Sequence, residues 1–137
     1  MVTNVLMSIR LPFASSILTG EKKFEFRRVR PRFDPGSRVW MYATKPTGAV
    51  IGVFEAGDIV SGQPAWLWSQ VEGHAGLSED EFRDYFRGRT QAHAIMIREV
   101  QTLDPTLLPE GSTIPQSYRF LRGDETARLA LSTRAAS

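Results

Sequence analysis

The sequence predicts an α+β domain centred on a small β-barrel, on three observations. Strand-like runs lie on both sides of two helical segments, "PAWLWSQVEG" and "LSEDEFRDYFRG", so the helices should cover one end of a β unit. The longest strand-like run, "AVIGVFEAGDIV", contains Gly52 and Gly57, which suit the bulges or bends that close a small barrel. Finally, 137 residues with 42% hydrophobic and 10% aromatic content fit one domain with a substantial core.

The elements follow in order. Val5–Ile9 is a short apolar strand. "RLPFASSILTG" then reads as a helix, with Pro12 in its first turn, Phe13, Ile17 and Leu18 on one face, and Gly20 as a left-handed stop. "KFEFR" alternates strictly, so Phe24 and Phe26 point one way while Lys23, Glu25 and Arg27 point the other. That pattern predicts a half-buried strand with a fully ionic outer face. "RVRPRFDPGS" is a turn-rich loop, and "RVWMYA" and "AVIGVFEAGDIV" are strands joined by "TKPTG". "PAWLWSQVEG" is a helix stopped near Gly73, with Trp66 and Trp68 as packing residues. The next helix opens on a capping box, Ser78 with Glu81, and presents Phe82, Tyr85 and Phe86 on one face. "AHAIMIREV" returns to strand, and its alternation places His93 with Ile95 and Ile97 as a hydrogen-bonded core residue. Beyond Val100, prolines 105, 109 and 115 should keep the chain irregular, and from Gly123 it reads as a short helix or a loose tail.

Composition excludes several function classes. Without cysteine there is no disulfide, thiolate metal site or cysteine nucleophile, and neither histidine has zinc-ligand spacing. No apolar run is long enough to span a bilayer, and "MVTNVLMSIR" lacks the basic start and apolar core of a signal peptide. The expectation is a soluble, cytoplasmic protein with no membrane partner, no metal and no cofactor; its oligomeric state stays open. Net charge is only +2, but residues 21–38 hold seven basic side chains against three acidic ones, a local +4. Such a field attracts an anionic partner, and nucleic acid is the first candidate. A solvated strand and loop would carry the same charge.

The chemistry concentrates after Gly20. A turn there places Lys22 beside a strand face on which Glu25 and Arg27 stand roughly 7 Å apart. Arg27 can clamp a phosphate or carboxylate bidentately, Glu25 can hold a cation or take a proton, and Lys22 can neutralise developing charge or act as a base if burial lowers its pKa. An ion-paired strand face needs no ligand, so both readings stand on physics alone.

Gly20-x-Lys22-x-x-Glu25-x-Arg27 resembles the signature of the ASCH domain family. "SIRLPFASSILTGEKKFEFRR" is similar to that family's opening strand, helix and signature strand, "RVWMYATKPTGAVIGVFE" to its next two strands, and "PQSYRFL" to its closing segment. The resemblance implies a PUA-like small mixed β-barrel with a few short helices covering its ends, formed by residues 1–122 as one domain, with 123–137 as a C-terminal tail or short helix. It further implies single-stranded RNA or a (modified) nucleotide as partner, bound in a cleft floored by the signature. Lys22, Glu25 and Arg27 are then the candidate catalytic residues of a ribonuclease.

Another branch of the family resembles an amidohydrolase acting on acylated cytidines through a lysine, a hydroxyl residue and a glutamate. Lys22 matches, Glu25 occupies the hydroxyl position, and Glu55 is the candidate glutamate. A ligand-sensing transcription or translation coregulator is a further alternative. Around the signature, Lys23 and Arg28 extend the basic strand. Tyr42 and Lys45 of "YATKPTG" can close over a base or phosphate, and Ser117, Tyr118 and Arg119 of "PQSYRFL" can stack a base and hold its phosphate. Tyr118 and Phe120 equally suit sealing the barrel.

Overall fold

The computed structural model describes residues 3–136, with side chains up to residue 133. Ten elements follow in the order β1 (Asn4–Ile9), α1 (Leu11–Leu18), β2 (Phe24–Arg27), β3 (Arg38–Ala43), β4 (Ala49–Gly62), α2 (Pro64–Val71), α3 (Glu79–Tyr85), β5 (Ala92–Thr106), β6 (Tyr118–Phe120) and α4 (Gly123–Ala136). The strands form one six-stranded mixed sheet, ordered β2-β5-β4-β3-β1-β6. Only the β1–β3 pair is parallel, with α1 and β2 in the crossover between them. The sheet curls into a half-barrel, and its two edge strands, β2 and β6, approach each other without a shared backbone ladder.

Sequence signals account for most element ends. Pro12 lies in the first turn of α1, and Gly20 takes φ +85°, where only a residue without Cβ avoids strain. The capping box of α3 is complete: the Glu81 amide donates to Ser78 Oγ at 3.1 Å, and the Ser78 amide donates to Glu81 Oε1 at 2.9 Å. Three register shifts interrupt the β4–β5 ladder: those between Val50 and Gly52 and between Ala56 and Ile59 fall at the two glycines expected to bend the strand, and the third lies between Val53 and Glu55.

Three buried clusters line this sheet. The largest lies inside the half-barrel, where Val5, Met7 and Ile9 of β1 meet Val39, Met41, Phe54 and Ile95, with Ala14 and Ile17 of α1 closing it. On the outer face of β1, β3 and β4, Leu6, Trp40, Tyr42 and Val53 pack with Leu103 and with Leu129 of α4. Beside β2 and β5, a third cluster joins Phe26, Ala92 and Ala94 to Leu67, Val71, Phe82 and Phe86 of the α2–α3 region.

Three expectations need correction. The ionic face of β2 is not an outer, solvated face: Glu25 is buried, and Glu25 and Arg27 pair with Ile95 and His93 of β5 on the barrel side. The reason is tertiary. α2 and α3 cover the phenylalanine side of β2 with a core of their own, so the charged side is the one turned toward the barrel seam. Secondly, the chain does not become irregular at Val100, because β5 continues to Thr106. Glu99 bends the strand at φ +48°, and Pro105 falls where the ladder with β4 is already shifted, so its missing N–H costs no regular pairing. Thirdly, Trp66 is half exposed, while Trp68 does pack on Phe82, with ring centroids 5.0 Å apart.

α4 is held to the sheet by Leu129 and by a fork: Arg119 Nη1 and Nη2 donate to the buried carboxylate of Glu125 at 3.0 and 2.7 Å. Those bonds, with help from the Arg122 amide, outweigh desolvation and hold the Glu125 carboxyl at about 2, below its ordinary 4.5. A carboxyl lowered on folding contributes stability above pH 4.5 and loses it as pH falls toward 2. Amide exchange should therefore show α4 losing protection across that window. Glu125→Gln should show weak α4 protection already at neutral pH and no acid transition of its own.

Candidate functional site

Where β2 meets the end of β1 and the α3 region, a cavity of about 190 Å³ opens. Its walls come from five places in the chain: Ser8, Ile9 and Arg10; Phe13; Lys22, Glu25, Phe26 and Arg27; Leu77; and Glu81 with Tyr85. The volume lies below the roughly 300–1,000 Å³ of pockets for drug-sized ligands, so it suits one ring or one anionic group. Three cations, Arg10, Lys22 and Arg27, face two carboxylates, Glu25 and Glu81. The excess positive charge favours an anion.

Lys22 is 2% exposed, the most buried cation of the site. Its Nζ donates to the Ala75 carbonyl at 3.0 Å and lies 4.5 Å from the centroid of the Phe26 ring and 5.3 Å from that of Phe13. The stem can lie there only because residue 76 is glycine: a Cβ on it would come within 2.5 Å of Lys22 Cβ, and its φ is +71°. Burial lowers the Lys22 pKa from 10.5 to about 8, against the attraction of Glu25 and Glu81 and with the repulsion of Arg27. Near neutral pH the ammonium thus gives up its proton far more readily than a surface lysine.

Arg27 spans the seam. Its Nη2 donates to Glu25 Oε2 at 2.9 Å and to the Ser8 carbonyl of β1 at 3.1 Å, and its Nη1 donates to Ser117 Oγ at 3.1 Å. Its Nε is buried with no partner among the described residues. A buried guanidinium N–H without an acceptor costs about 1–3 kcal/mol. Tyr85 borders the same cavity and donates its hydroxyl to the Phe26 carbonyl at 3.1 Å; burial raises its pKa.

The structure brings together Lys22, Glu25, Arg27 and Ser117 from the residues singled out in the sequence. Arg28 stands at the rim, its guanidinium 4.3 Å from the Tyr85 ring centroid and its Nε donating to the Tyr85 carbonyl at 2.7 Å. Lys23 and Lys45 are exposed and outside the cavity lining. Tyr42 is buried in the outer cluster beside Trp40 and Val50. Tyr118 packs edge-on to Phe33 with ring centroids 5.4 Å apart, its hydroxyl accepting the Arg32 amide at 2.9 Å, while Arg119 is engaged with Glu125.

Glu55 lies elsewhere, opposite Arg38 in the β3–β4 ladder. The second glutamate of the cavity is Glu81 instead. Sequence reading missed it because the capping box already explained that residue. Arg10, Phe13 and Tyr85 were missed because nothing local relates them to residues 22–27.

A family model described as the ASCH domain matches residues 7–102. An ASCH domain-containing ribonuclease of Zymomonas mobilis subsp. mobilis is 38% identical over 130 residues, covering 90% of this chain and 88% of its own. The crystal structure of an ASCH protein from Zymomonas mobilis superposes with a TM-score of 0.90 at 36% identity, covering 96% of each chain. The N-terminal domain of McrB from Staphylothermus marinus, at 10% identity and a TM-score of 0.61, shares the fold over 100% of this chain and 96% of its own.

The lowered Lys22 pKa has a measurable consequence. Between pH 8 and 10.5 the unfolded chain holds this proton while the folded chain has released it, so stability rises with pH across that window. Denaturant unfolding should show the wild type gaining about 3 kcal/mol relative to Lys22→Met over the same range. A parallel pair of pH profiles would refute the buried, destabilised ammonium.

Proposed function

The chain belongs to the ASCH domain family, and from that premise we propose that it binds single-stranded RNA, seats one nucleotide in the Lys22–Glu25–Arg27 cavity and cleaves the strand there. The observation that carries this reading is the convergence, on one small cavity, of a lysine shifted to about 8 and an arginine with a buried, unpartnered N–H. The 38%-identical relative named as a ribonuclease supports the same reaction class.

Cleavage by the neighbouring 2′-hydroxyl needs a proton acceptor, a proton donor for the leaving 5′-oxygen, and charge stabilisation at phosphorus. Lys22, as the neutral amine, takes the 2′-hydroxyl proton while the oxygen attacks phosphorus. The resulting ammonium returns that proton to the 5′-oxygen as the P–O bond breaks, leaving a 2′,3′-cyclic phosphate and a 5′-hydroxyl. Arg27 faces the non-bridging oxygens, and Glu25 fixes the guanidinium in place. Phe13, Phe26 and Tyr85 provide apolar surface for the base or ribose.

One observation favours a second reading. Glu81 borders the cavity and its charge acts on Lys22, which supplies the lysine–glutamate pair needed to hydrolyse an N-acylated cytidine. With Glu25 at the hydroxyl position, water would have to attack the amide. Release of cytidine from N4-acetylcytidine, followed by chromatography, would favour this reading over strand cleavage.

Lys22→Ala should lower cleavage of a fluorogenic single-stranded RNA by about 10²-fold or more while leaving most binding intact. Arg27→Gln should weaken both cleavage and binding. For the wild type, log K should fall linearly with log salt, by about 0.7 per phosphate contact. Wild-type cleavage by Lys22→Ala, or RNA affinity indifferent to salt, would overturn the proposal.

A further inference from the structure

The half-barrel carries a second polar cluster, outside the cavity and one strand pairing away from Arg27. Arg30 Nη1 donates to Ser61 Oγ at 2.9 Å, and Ser61 Oγ lies 2.7 Å from His93 Nδ1. His93 is the direct cross-strand partner of Arg27, and Ser61 the direct partner of His93. Cα atoms of such antiparallel partners are roughly 4.5–5.5 Å apart with side chains on one face. Hydrogen bonds thus join Ser117 to Arg27 on one side and Arg30 to Ser61 and His93 on the other, and strand pairing sets His93 beside Arg27.

Ser61 Oγ accepts from the Arg30 guanidinium and shares a second hydrogen bond with His93 Nδ1, whose direction depends on the His93 tautomer. Burial, with the nearby Arg30 charge, lowers the His93 pKa and favours the neutral ring. Arg30 is thus oriented by the neutral hydroxyl of Ser61. Arg83, Arg87, Arg119 and Arg122 are each ion-paired with a carboxylate. Among the described residues no carboxylate is ion-paired with Arg30 or with Arg28. An arginine oriented by neutral partners keeps its full charge for a ligand and loses less side-chain freedom on binding it.

We infer that Arg30, oriented by Ser61 and His93, is a second phosphate subsite that receives the phosphodiester next to the nucleotide held in the Lys22–Glu25–Arg27 cavity. This rests on the RNA reading of that cavity and adds to it a substrate class: a strand of at least two nucleotides, in preference to a free mononucleotide. The subsite is exposed at Arg30, so the strand can continue into solvent beyond it.

The test compares a ribonucleoside 5′-monophosphate with a 5′-phosphorylated dinucleotide whose first ribose is 2′-O-methylated, so that it cannot be cleaved, by calorimetry in the wild type and in Arg30→Gln, Ser61→Ala and Arg83→Gln. The wild type should bind the dinucleotide about tenfold more tightly at low salt. Arg30→Gln should abolish that advantage, lower the salt slope by about 0.7, and leave mononucleotide affinity unchanged, which also shows that the variant is folded. Ser61→Ala, which keeps the charge but removes its anchor, should lose part of the advantage, and Arg83→Gln none. A wild type that binds mononucleotide without favouring the dinucleotide, or an Arg30→Gln variant that keeps the preference, overturns this inference and leaves the cavity reading standing. A wild type that binds neither ligand overturns both.

Discussion

The Arg27 side chain closes a gap that the backbone leaves open. Because β2 and β6 lie at opposite ends of the strand order, no ladder joins them, and the barrel remains half closed. Arg27 crosses that seam, reaching a β1 carbonyl and the hydroxyl of Ser117 just before β6, while Glu25 balances its charge. A guanidinium taken out of water is tolerated only when paired and hydrogen-bonded, and satisfying this group ties the β2 edge to β1 and to the segment before β6. Its Nε is buried with no partner among the described residues.

Lys22 represents the opposite balance. Its ammonium is buried against two aromatic rings with a single carbonyl as hydrogen-bond acceptor, and desolvation prevails over the attraction of two carboxylates. Such a cation is a cost to the fold and an asset for proton transfer. The surrounding loop is built to accept it: the Lys23 amide donates to the His74 carbonyl at 2.9 Å, and Gly76 leaves room for the lysine stem. The segment before α3 is thereby tied to the turn after α1. Those two segments are more than fifty residues apart, yet together they make one wall of the cavity.

Packing of α2 and α3 on β2 sets the polarity of the whole site. Phe26 meets Phe82 and Phe86 edge-on, with ring centroids 5.1 and 6.2 Å apart, and this cluster claims the apolar side of the strand. Glu25 and Arg27 are left facing the barrel seam, where solvent is restricted and electrostatic interactions are stronger than on an open strand. The same placement brings His93, with its Ser61 and Arg30 partners, opposite Arg27.

Local physics within the chain determined much of this arrangement. Proline at a helix start, glycine in a left-handed turn, a serine–glutamate capping box and strict apolar alternation act over a few residues, and they located α1, β2 and α3 along with the Lys22, Glu25 and Arg27 spacing. Other features depended on contacts between distant segments. Alternation distinguishes the two faces of β2 but not which one meets the barrel, because that depends on where α2 and α3 dock. Glu81 and Tyr85 reach the cavity, and Tyr42 and Arg119 are drawn into packing and an ion pair, through partners far away in sequence. Side-chain chemistry is written in the chain. Which groups share a cavity is decided only when the sheet curls and the helices settle on it.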